Sequence, residues 1–223
     1  MQTQGLATAT TGMTGVSTRV RLGGWCGMVA GPLWVGVVAV LTVAEYGFLT
    51  HAGWSFLGDN KIPYPSYTAR GQFGIVQTLN FAVTGVLVLL FVGGLATLLR
   101  RWTGLVGRVL LTVTGVAMVT SAFTTDRVPG PATWHGTVHA LSFFAIVLSS
   151  TLGLLFAGLA LRRTPGWRAW GTTTALLGPW QFILFTFGGG LLPGEVAFYV
   201  FVLTLFGWIA ATGRRLLGSR VAG

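Results

Sequence analysis

The sequence has few of the residues from which active sites and water-exposed surfaces are commonly built. Of 223 residues only 8% are charged, and there are four acidic residues, three histidines and one cysteine. A soluble domain has about 25% charged residues, so this chain lacks the charge that a solvated surface requires. The single cysteine, Cys26, excludes an intrachain disulfide and a cysteine-rich metal site.

Several sequence motifs of common enzymes are also missing. No glycine-rich loop leads to a lysine, as in a phosphate-binding loop, and no serine stands in a nucleophile elbow. The net charge of +10 does not indicate nucleic-acid binding, because the arginine pairs separate apolar runs instead of lying on a polar face. We therefore predict no cofactor and no nucleic-acid partner.

The chain contains six long apolar segments instead. They cover residues 25–49, 74–99, 105–124, 134–161, 169–187 and 196–211. A helix needs about 20 residues to cross a hydrocarbon core of about 30 Å, and these runs lack the two-residue alternation of a membrane β-barrel. We predict an all-α integral membrane protein, a bundle of six transmembrane helices within residues 23–216. A flexible N-terminal tail (1–22) and a C-terminal tail (217–223) flank it.

The basic residues predict the orientation of this bundle. Cytoplasmic loops are enriched in Lys and Arg. With the N-terminus inside, 11 of the 14 basic residues lie on the cytoplasmic side, and Lys61, Arg70 and Arg127 lie outside. We predict a multi-pass protein of a bacterial inner membrane, surrounded by membrane lipid, with both termini in the cytoplasm.

In this orientation all acidic residues and all histidines fall on the outer side. The bias of basic residues towards the inside explains part of this distribution, since it leaves acidic residues only the other face. Glu45 is different, because it lies within an apolar run, where a carboxylate is costly and commonly functional or paired. We interpret Glu45 as a candidate catalytic residue.

The stretch FTTDRVPGPATWHGTVHALSFF, residues 123–144, holds the densest group of titratable residues. Thr133 is predicted to cap the fourth span, which places His135 in the first turn and His139 one turn later on the same face. Three interpretations stay open: Asp126 fastens the loop, the cluster transfers protons, or the histidines bind a metal with Asp126. We take Asp126, His135 and His139 as candidate catalytic residues and predict no bound metal.

A polar line runs along the second span. Gln77, Asn80 and Thr84 follow one another at helical spacing on one face. Amides that face lipid lose their hydrogen bonds, so this face is predicted to point into the bundle. Thr84 is expected to hold helices together, whereas Gln77 and Asn80 are predicted to bind substrate in a polar pocket.

Four segments together carry a resemblance to a known family. They are SYTARGQFGIVQTLNFAVTG (66–85), TSAFTTD (120–126), WHGTVHALSFF (134–144) and FGWIAATGRRL (206–216). They resemble successive landmarks of the DUF998 family, six-span bacterial and archaeal membrane proteins without an assigned function. The resemblance implies the six-helix fold and recurring polar or packing positions that include Ser66, Phe81 and Gly136, but it implies no reaction. Ser66, with Asp59 in the first external loop, completes the predicted substrate-binding set.

Two functions fit these features. The first is an intramembrane enzyme that uses acid–base chemistry on a lipid-like or isoprenoid substrate, since burial brings a carboxyl pKa towards a value useful for donating a proton. Aromatic faces would also stabilise a transient cation in such a site. The second is a non-catalytic binder, a small-molecule permease or a membrane-assembly factor. We favour the first, with a hydrophobic small molecule as partner, and make no prediction of oligomeric state.

Overall fold

The structure is a computed structural model and describes residues 18–58, 60–192 and 195–218. These residues form α-helices and one short 3-10 helix, and they contain no strand. The predicted all-α fold is therefore confirmed. Asp59, one of the predicted substrate-binding residues, lies outside the described residues.

Seven α-helices follow one another along the described part of the chain. Their bounds are α1 Thr18–Ala44, α2 Tyr46–His51, α3 Gly74–Leu95, α4 Trp102–Thr120, α5 Trp134–Leu161, α6 Arg168–Leu191 and α7 Val196–Gly218, with the 3-10 helix at Ser66–Arg70. Five of them are long and apolar enough to cross a membrane, namely α1, α3, α4, α5 and α7. The remaining long helix, α6, has 24 residues and coincides with the predicted fifth span. Its Thr, Gly, Pro and Gln residues lower its hydropathy below that of the other five.

The first predicted span, residues 25–49, is divided between two helices. It begins earlier than predicted, at Thr18, so the last residues of the predicted tail are helical. Glu45 separates α1 from α2, although its N–H still donates to the Leu41 carbonyl at 2.8 Å and its carbonyl accepts from the N–H of Leu49 at 2.9 Å. The helical path therefore continues past Glu45, while the Glu45 side chain turns towards the start of α3.

The six long helices pack side by side in a closed ring. Around the ring the order is α1, α3, α4, α5, α6 and α7, and α7 returns to α1; the α6–α7 contact is the smallest of the six. Small residues allow close approach where helices meet. A Cβ on Gly23 would lie 2.7 Å from the Cα of Gly94, and a Cβ on Gly158 would overlap the backbone of Ala175. The α1–α3 and α5–α6 pairs therefore depend on glycine at these positions.

One end of the ring, which we call the basic end, gathers the arginine-rich helix ends. There Nη2 of Arg215 donates to the Gly166 carbonyl at 2.6 Å, and the guanidinium lies 5.0 Å from the centroid of the Trp167 ring. The C-terminal turn of α7 is therefore tied to the α5–α6 connection.

The opposite end, which we call the acidic end, carries Glu45, Asp126 and Glu195. Its longest connection, described over residues 52–58 and 60–73, packs against Leu49 of α2 and forms with it a small apolar core that includes Trp54, Ile62 and Tyr67. Nε of Arg70 donates to the Thr125 carbonyl at 2.7 Å, which joins this connection to the α4–α5 loop. The acidic end is thus covered by two mutually bonded loops.

Candidate functional site

Glu45 stabilises the beginning of α3 from a distant part of the chain. Its side chain is 4% exposed, and Oε1 accepts a hydrogen bond from the N–H of Phe73 at 2.7 Å. The carboxylate rests on Gly71, where any Cβ would overlap it. A negative group at this point is favoured by the unpaired N–H groups and positive dipole of a helix N-terminus. Oε2 has no hydrogen-bond partner among the described residues.

Asp126 makes an equivalent contact at the beginning of α5. Its Oδ1 accepts from the Thr133 hydroxyl at 2.6 Å, and Oδ2 accepts from the Thr133 N–H at 3.2 Å. The Thr133 hydroxyl also accepts from the N–H of Gly136 at 3.2 Å, so the predicted N-cap is confirmed. Gly136 has no room for a side chain, because a Cβ would overlap the Asp126 carboxylate.

The hydrogen bonds to Asp126 favour its ionised form. The Thr133 hydroxyl and then the Thr133 N–H lower the pKa of Asp126 below its ordinary value, and nearby His135 and Arg70 lower that pKa further. Asp126 is therefore ionised at neutral pH. Its present contacts make it a fixed acceptor rather than a proton donor.

The two histidines bind the carbonyl groups that follow α4. Nδ1 of His135 lies 3.1 Å from the Thr124 carbonyl oxygen, and Nδ1 of His139 lies 2.8 Å from that of Ser121 and 2.7 Å from that of Phe123. Carbonyl oxygens only accept, so each Nδ1 carries the hydrogen. Carbonyls at a helix C-terminus have no partner within the helix. The pair therefore fastens the end of α4 to the start of α5.

This arrangement leaves one nitrogen of each ring for other chemistry. With Nδ1 protonated, the unprotonated Nε2 of a neutral imidazole is a hydrogen-bond acceptor and a base. Of the three open interpretations, the geometry fits loop fastening directly, and it leaves Nε2 of His139 for proton transfer. In the part of the chain that the structure describes, His, Cys, Asp and Glu side chains do not gather in threes as metal ligands.

The polar line of α3 points into the bundle, as predicted. Gln77, Asn80 and Thr84 are all buried. Nδ2 of Asn80 donates to the backbone carbonyl of Trp34 at 3.3 Å and to Oε1 of Gln77 at 3.4 Å. The amides thus connect α3 to α1 and to each other. Their predicted role in binding substrate stays a prediction.

A cavity of about 470 Å³ lies inside the ring, towards the acidic end. Small-molecule sites have volumes of roughly 300–1,000 Å³. The cavity wall is mainly apolar and rich in aromatic rings, contributed by Trp34, Phe81, Phe143, Phe144, Phe185, Phe198, Phe201 and Phe206. Few of the described lining residues have a hydroxyl, imidazole or carboxyl group: Tyr64, Ser66, Ser121, Thr125, His139 and Glu195. Trp34 adds an indole N–H that has no hydrogen-bond partner among the described residues. The cavity therefore suits a molecule that is largely hydrocarbon.

The structure does not bring the predicted site residues into one pocket. Only Ser66 and His139 line the cavity among those that it describes. The others lie in the separate contacts given above: Glu45, Gln77, Asn80, Asp126 and His135. Glu45 and Asp126 instead share a role, since each carboxylate lies against a glycine at the start of a long helix.

Besides Ser66 and His139, four lining residues with a hydroxyl or carboxyl group were not predicted as site residues, namely Tyr64, Ser121, Thr125 and Glu195. Ser121 and Thr125 lie just after α4. Glu195 immediately precedes α7, and Tyr64 stands between Pro63 and Pro65 in the connection over the acidic end. The sequence signals were an isolated acid at the start of an apolar run and a tyrosine fixed between two prolines. Neither signal shows which cavity the side chain faces, because that depends on how distant helices pack.

A family model matches most of the helical bundle. The model described as protein of unknown function, DUF998, matches residues 28–215. The chain belongs to the DUF998 family. The resemblance of its four segments is thereby confirmed for nearly the whole helical bundle. No curated protein and no solved structure matches this DUF998 protein, so its site has to be interpreted from its own geometry.

Proposed function

We propose that this DUF998 protein binds one lipid-like molecule in the cavity inside its ring of helices. The observation that carries the proposal is the cavity itself, about 470 Å³ in volume and walled mainly by aromatic and aliphatic side chains. An apolar pocket with a few convergent polar groups is the usual form of a small-molecule site. A hydrocarbon chain would bury its surface there, and Tyr64, Ser66 and His139 would meet its polar end.

The charge of the cavity wall narrows the class of ligand. Glu195 carries a carboxylate, and none of the described lining residues is Lys or Arg. Phosphate groups are bound through charge-assisted hydrogen bonds from Arg or Lys, which this wall does not offer. Aromatic faces and a carboxylate attract cations. The proposed ligand is therefore an amphiphile with an uncharged or cationic polar group.

We further propose that all six long helices cross the membrane, with both termini in the cytoplasm of a bacterial cell. The packing of α6 against α5 supports this number. Gly171 of α6 lies against Arg162 at the C-terminal end of α5, and the ring centroid of Phe185 lies 6.0 Å from that of Phe143 in the N-terminal half of α5. The helices are therefore antiparallel, and α6 extends along most of the length of α5. The acidic end is then the outer face.

A reporter fused after Gly223 tests this topology. Six spans place it in the cytoplasm with the N-terminus, whereas five spans place the two termini on opposite sides. A second reporter inserted beside Lys61 is expected outside. Enzymatic reporters that are active on only one side of the membrane make the measurement. An external Gly223 reporter combined with a cytoplasmic N-terminus contradicts the six-span proposal.

Acid–base catalysis on the bound amphiphile is the second candidate function, favoured by the position of His139. This residue lines the cavity while two carbonyls hold its Nδ1, so its Nε2 is a positioned base. Asp126 and His135 would then act as positioning residues, and Glu45 would fix the neighbouring helix start. The proposal requires that ligand recovered from wild-type protein is chemically altered and that ligand recovered from His139→Asn is not.

Direct binding measurements test the proposed ligand class. The protein is placed in phosphatidylcholine nanodiscs and titrated with an alkyl amine, an alcohol and a phosphate of equal, long chain length. We expect the amine and alcohol to bind more tightly than the phosphate. Glu195→Gln is expected to weaken amine binding about tenfold, equivalent to about 1.4 kcal/mol, and to leave alcohol binding unchanged.

A cavity-filling substitution provides the control for this titration. Val202 lines the cavity and is 8% exposed, whereas Val40 is 67% exposed on the outside of α1. Val202→Trp is expected to abolish binding of every probe, and Val40→Trp to leave it unchanged. Equal binding by wild type and Val202→Trp contradicts the cavity as the binding site.

A further inference from the structure

The wall of the cavity is not uniformly closed. Most of its lining residues are buried or half-buried, but five are exposed on the outside of the bundle: Pro63, Ala140, Phe144, Phe185 and Gly189. Four of these lie on α5 and α6, and Pro63 lies in the connection at the acidic end. The exposed part of the wall therefore runs between α5 and α6 and reaches the covering loop.

The α5–α6 pair is packed differently along its length. Towards the basic end the backbones are in direct contact, since a Cβ on Gly158 would overlap Ala175. Towards the acidic end the neighbouring groups are phenyl rings, with the centroid of Phe185 lying 6.0 Å from that of Phe143 and 6.4 Å from that of Phe144. Ring contacts separate the helices more than backbone contacts do, and rings can turn aside more easily than backbone.

Two glycines near the end of α6 differ in the space around them, and Gly189 has open space beside the cavity. A Cβ on Gly188 would meet the side chain of Ala197, so Gly188 serves packing between α6 and α7. A Cβ on Gly189 would have no heavy atom within 4 Å, although Gly189 lines the cavity. Helix packing therefore does not require glycine at 189. A larger side chain has room there, and because Gly189 lines the cavity we expect it to obstruct the opening between α5 and α6.

Aromatic side chains cover the cavity at the acidic end, beneath the connection between α2 and α3. The ring of Trp54 lies 5.1 Å from that of Tyr64, and Phe56 stacks on Tyr199 at 5.4 Å. Tyr64 is held in place by a hydrogen bond of 2.7 Å between its hydroxyl and that of Thr42. A ligand entering from water would have to displace this cluster.

We infer that the ligand enters and leaves sideways from the outer leaflet, through the opening between α5 and α6, with its polar group travelling near Pro63 and Glu195. This inference rests on the proposed function, because it assigns a route to the same cavity. An amphiphile dissolved in the membrane presents its chain at the depth of Phe144 and Phe185 and its polar group at the depth of the covering loop. It can therefore reach the cavity without passing through water.

Blocking the opening with a bulky side chain tests the route. The matched pair is Gly189→Trp and Gly190→Trp, because a Cβ at Gly190 also has no heavy atom within 4 Å, but Gly190 does not line the cavity. Both substitutions replace a glycine within a helix by tryptophan, which has the higher helix propensity of the two residues. Ala140→Trp, on the opposite side of the opening, is a second blocking variant if Gly189→Trp fails to fold.

The probe is a long-chain alkyl amine with a photoactivatable group at the chain end, supplied in phosphatidylcholine vesicles. We measure the rate at which Val202 and Phe206, the cavity-lining residues of α7, become labelled; labels on the lipid-facing Leu203 of the same helix are counted separately. Gly189→Trp and Ala140→Trp are expected to slow labelling at least about tenfold, with Gly190→Trp close to wild type. Wild-type labelling rates in both blocking variants overturn the route while leaving the cavity as binding site. No labelling of Val202 or Phe206 in the wild type overturns the route and the proposed function together.

Discussion

Replacing His139 with phenylalanine is expected to cause a large loss of stability. Phenylalanine preserves the ring volume and the edge-to-face contact with Phe81, whose centroid lies 5.8 Å from that of His139. It removes the N–H that the carbonyls of Ser121 and Phe123 share. Leaving a buried acceptor without a partner costs about 1–3 kcal/mol. We therefore expect a clear fall in the temperature of unfolding in detergent.

Asparagine at the same position separates the structural role of His139 from a chemical one. The amide N–H₂ of His139→Asn takes the place of Nδ1–H, so we expect it to recover most of the lost stability, while no base remains in place of Nε2. Thr137→Val is the control, because the Thr137 hydroxyl bonds only to the Thr133 carbonyl of its own helix. Equal unfolding temperatures for wild type and His139→Phe show that the carbonyl contacts do not stabilise the fold.

Gly158→Val is expected to destabilise the bundle by a similar or larger amount. Any Cβ at this position overlaps the backbone of Ala175, which cannot move aside as a flexible side chain can. Overpacking a closely fitted contact costs about 1–3 kcal/mol and occasionally more. The α5–α6 pair must separate, and since it forms part of the closed ring, its neighbours must shift as well.

The lone cysteine provides the measurement for this variant. Cys26 is 7% exposed, so its thiol reacts with a maleimide dye only when the bundle opens. The temperature at which the dye reacts is expected to fall in Gly158→Val. Gly207→Val is the matched control, because a Cβ on Gly207 of α7 has no heavy atom within 4 Å. Equal reaction temperatures for Gly158→Val and Gly207→Val contradict the close α5–α6 contact.

The helical architecture was predictable because it depends on features that are local in the sequence. Long apolar runs predict helices of membrane length, and Thr133 predicts where α5 begins, since a cap acts on its own helix. The inward face of α3 follows from the spacing of Gln77, Asn80 and Thr84, because buried amides need partners. These predictions need no knowledge of which helices are neighbours.

The site was less predictable because it depends on contacts between distant segments. The spacing of His135 and His139 predicts that they share one face of α5. The backbone carbonyls that accept their hydrogen bonds depend on where α4 ends, which the spacing does not reveal. Glu45 was recognised as unusual, yet its partner Phe73 lies 28 residues away. The cavity wall draws on the six long helices and on three of the connections between them, and Glu195 belongs to it because α7 closes the ring against α1. Sequence spacing carries no information about such closure.

The most direct test of the account is to locate the bound amphiphile inside the protein. The photoactivatable alkyl amine is equilibrated with the protein in phosphatidylcholine nanodiscs, and the labelled residues are identified by mass spectrometry. The account predicts labels on cavity residues from several helices, including Phe81, Val147 and Phe206. Labels confined to lipid-facing residues such as Val43 and Leu203, which are 78% and 57% exposed, would contradict it.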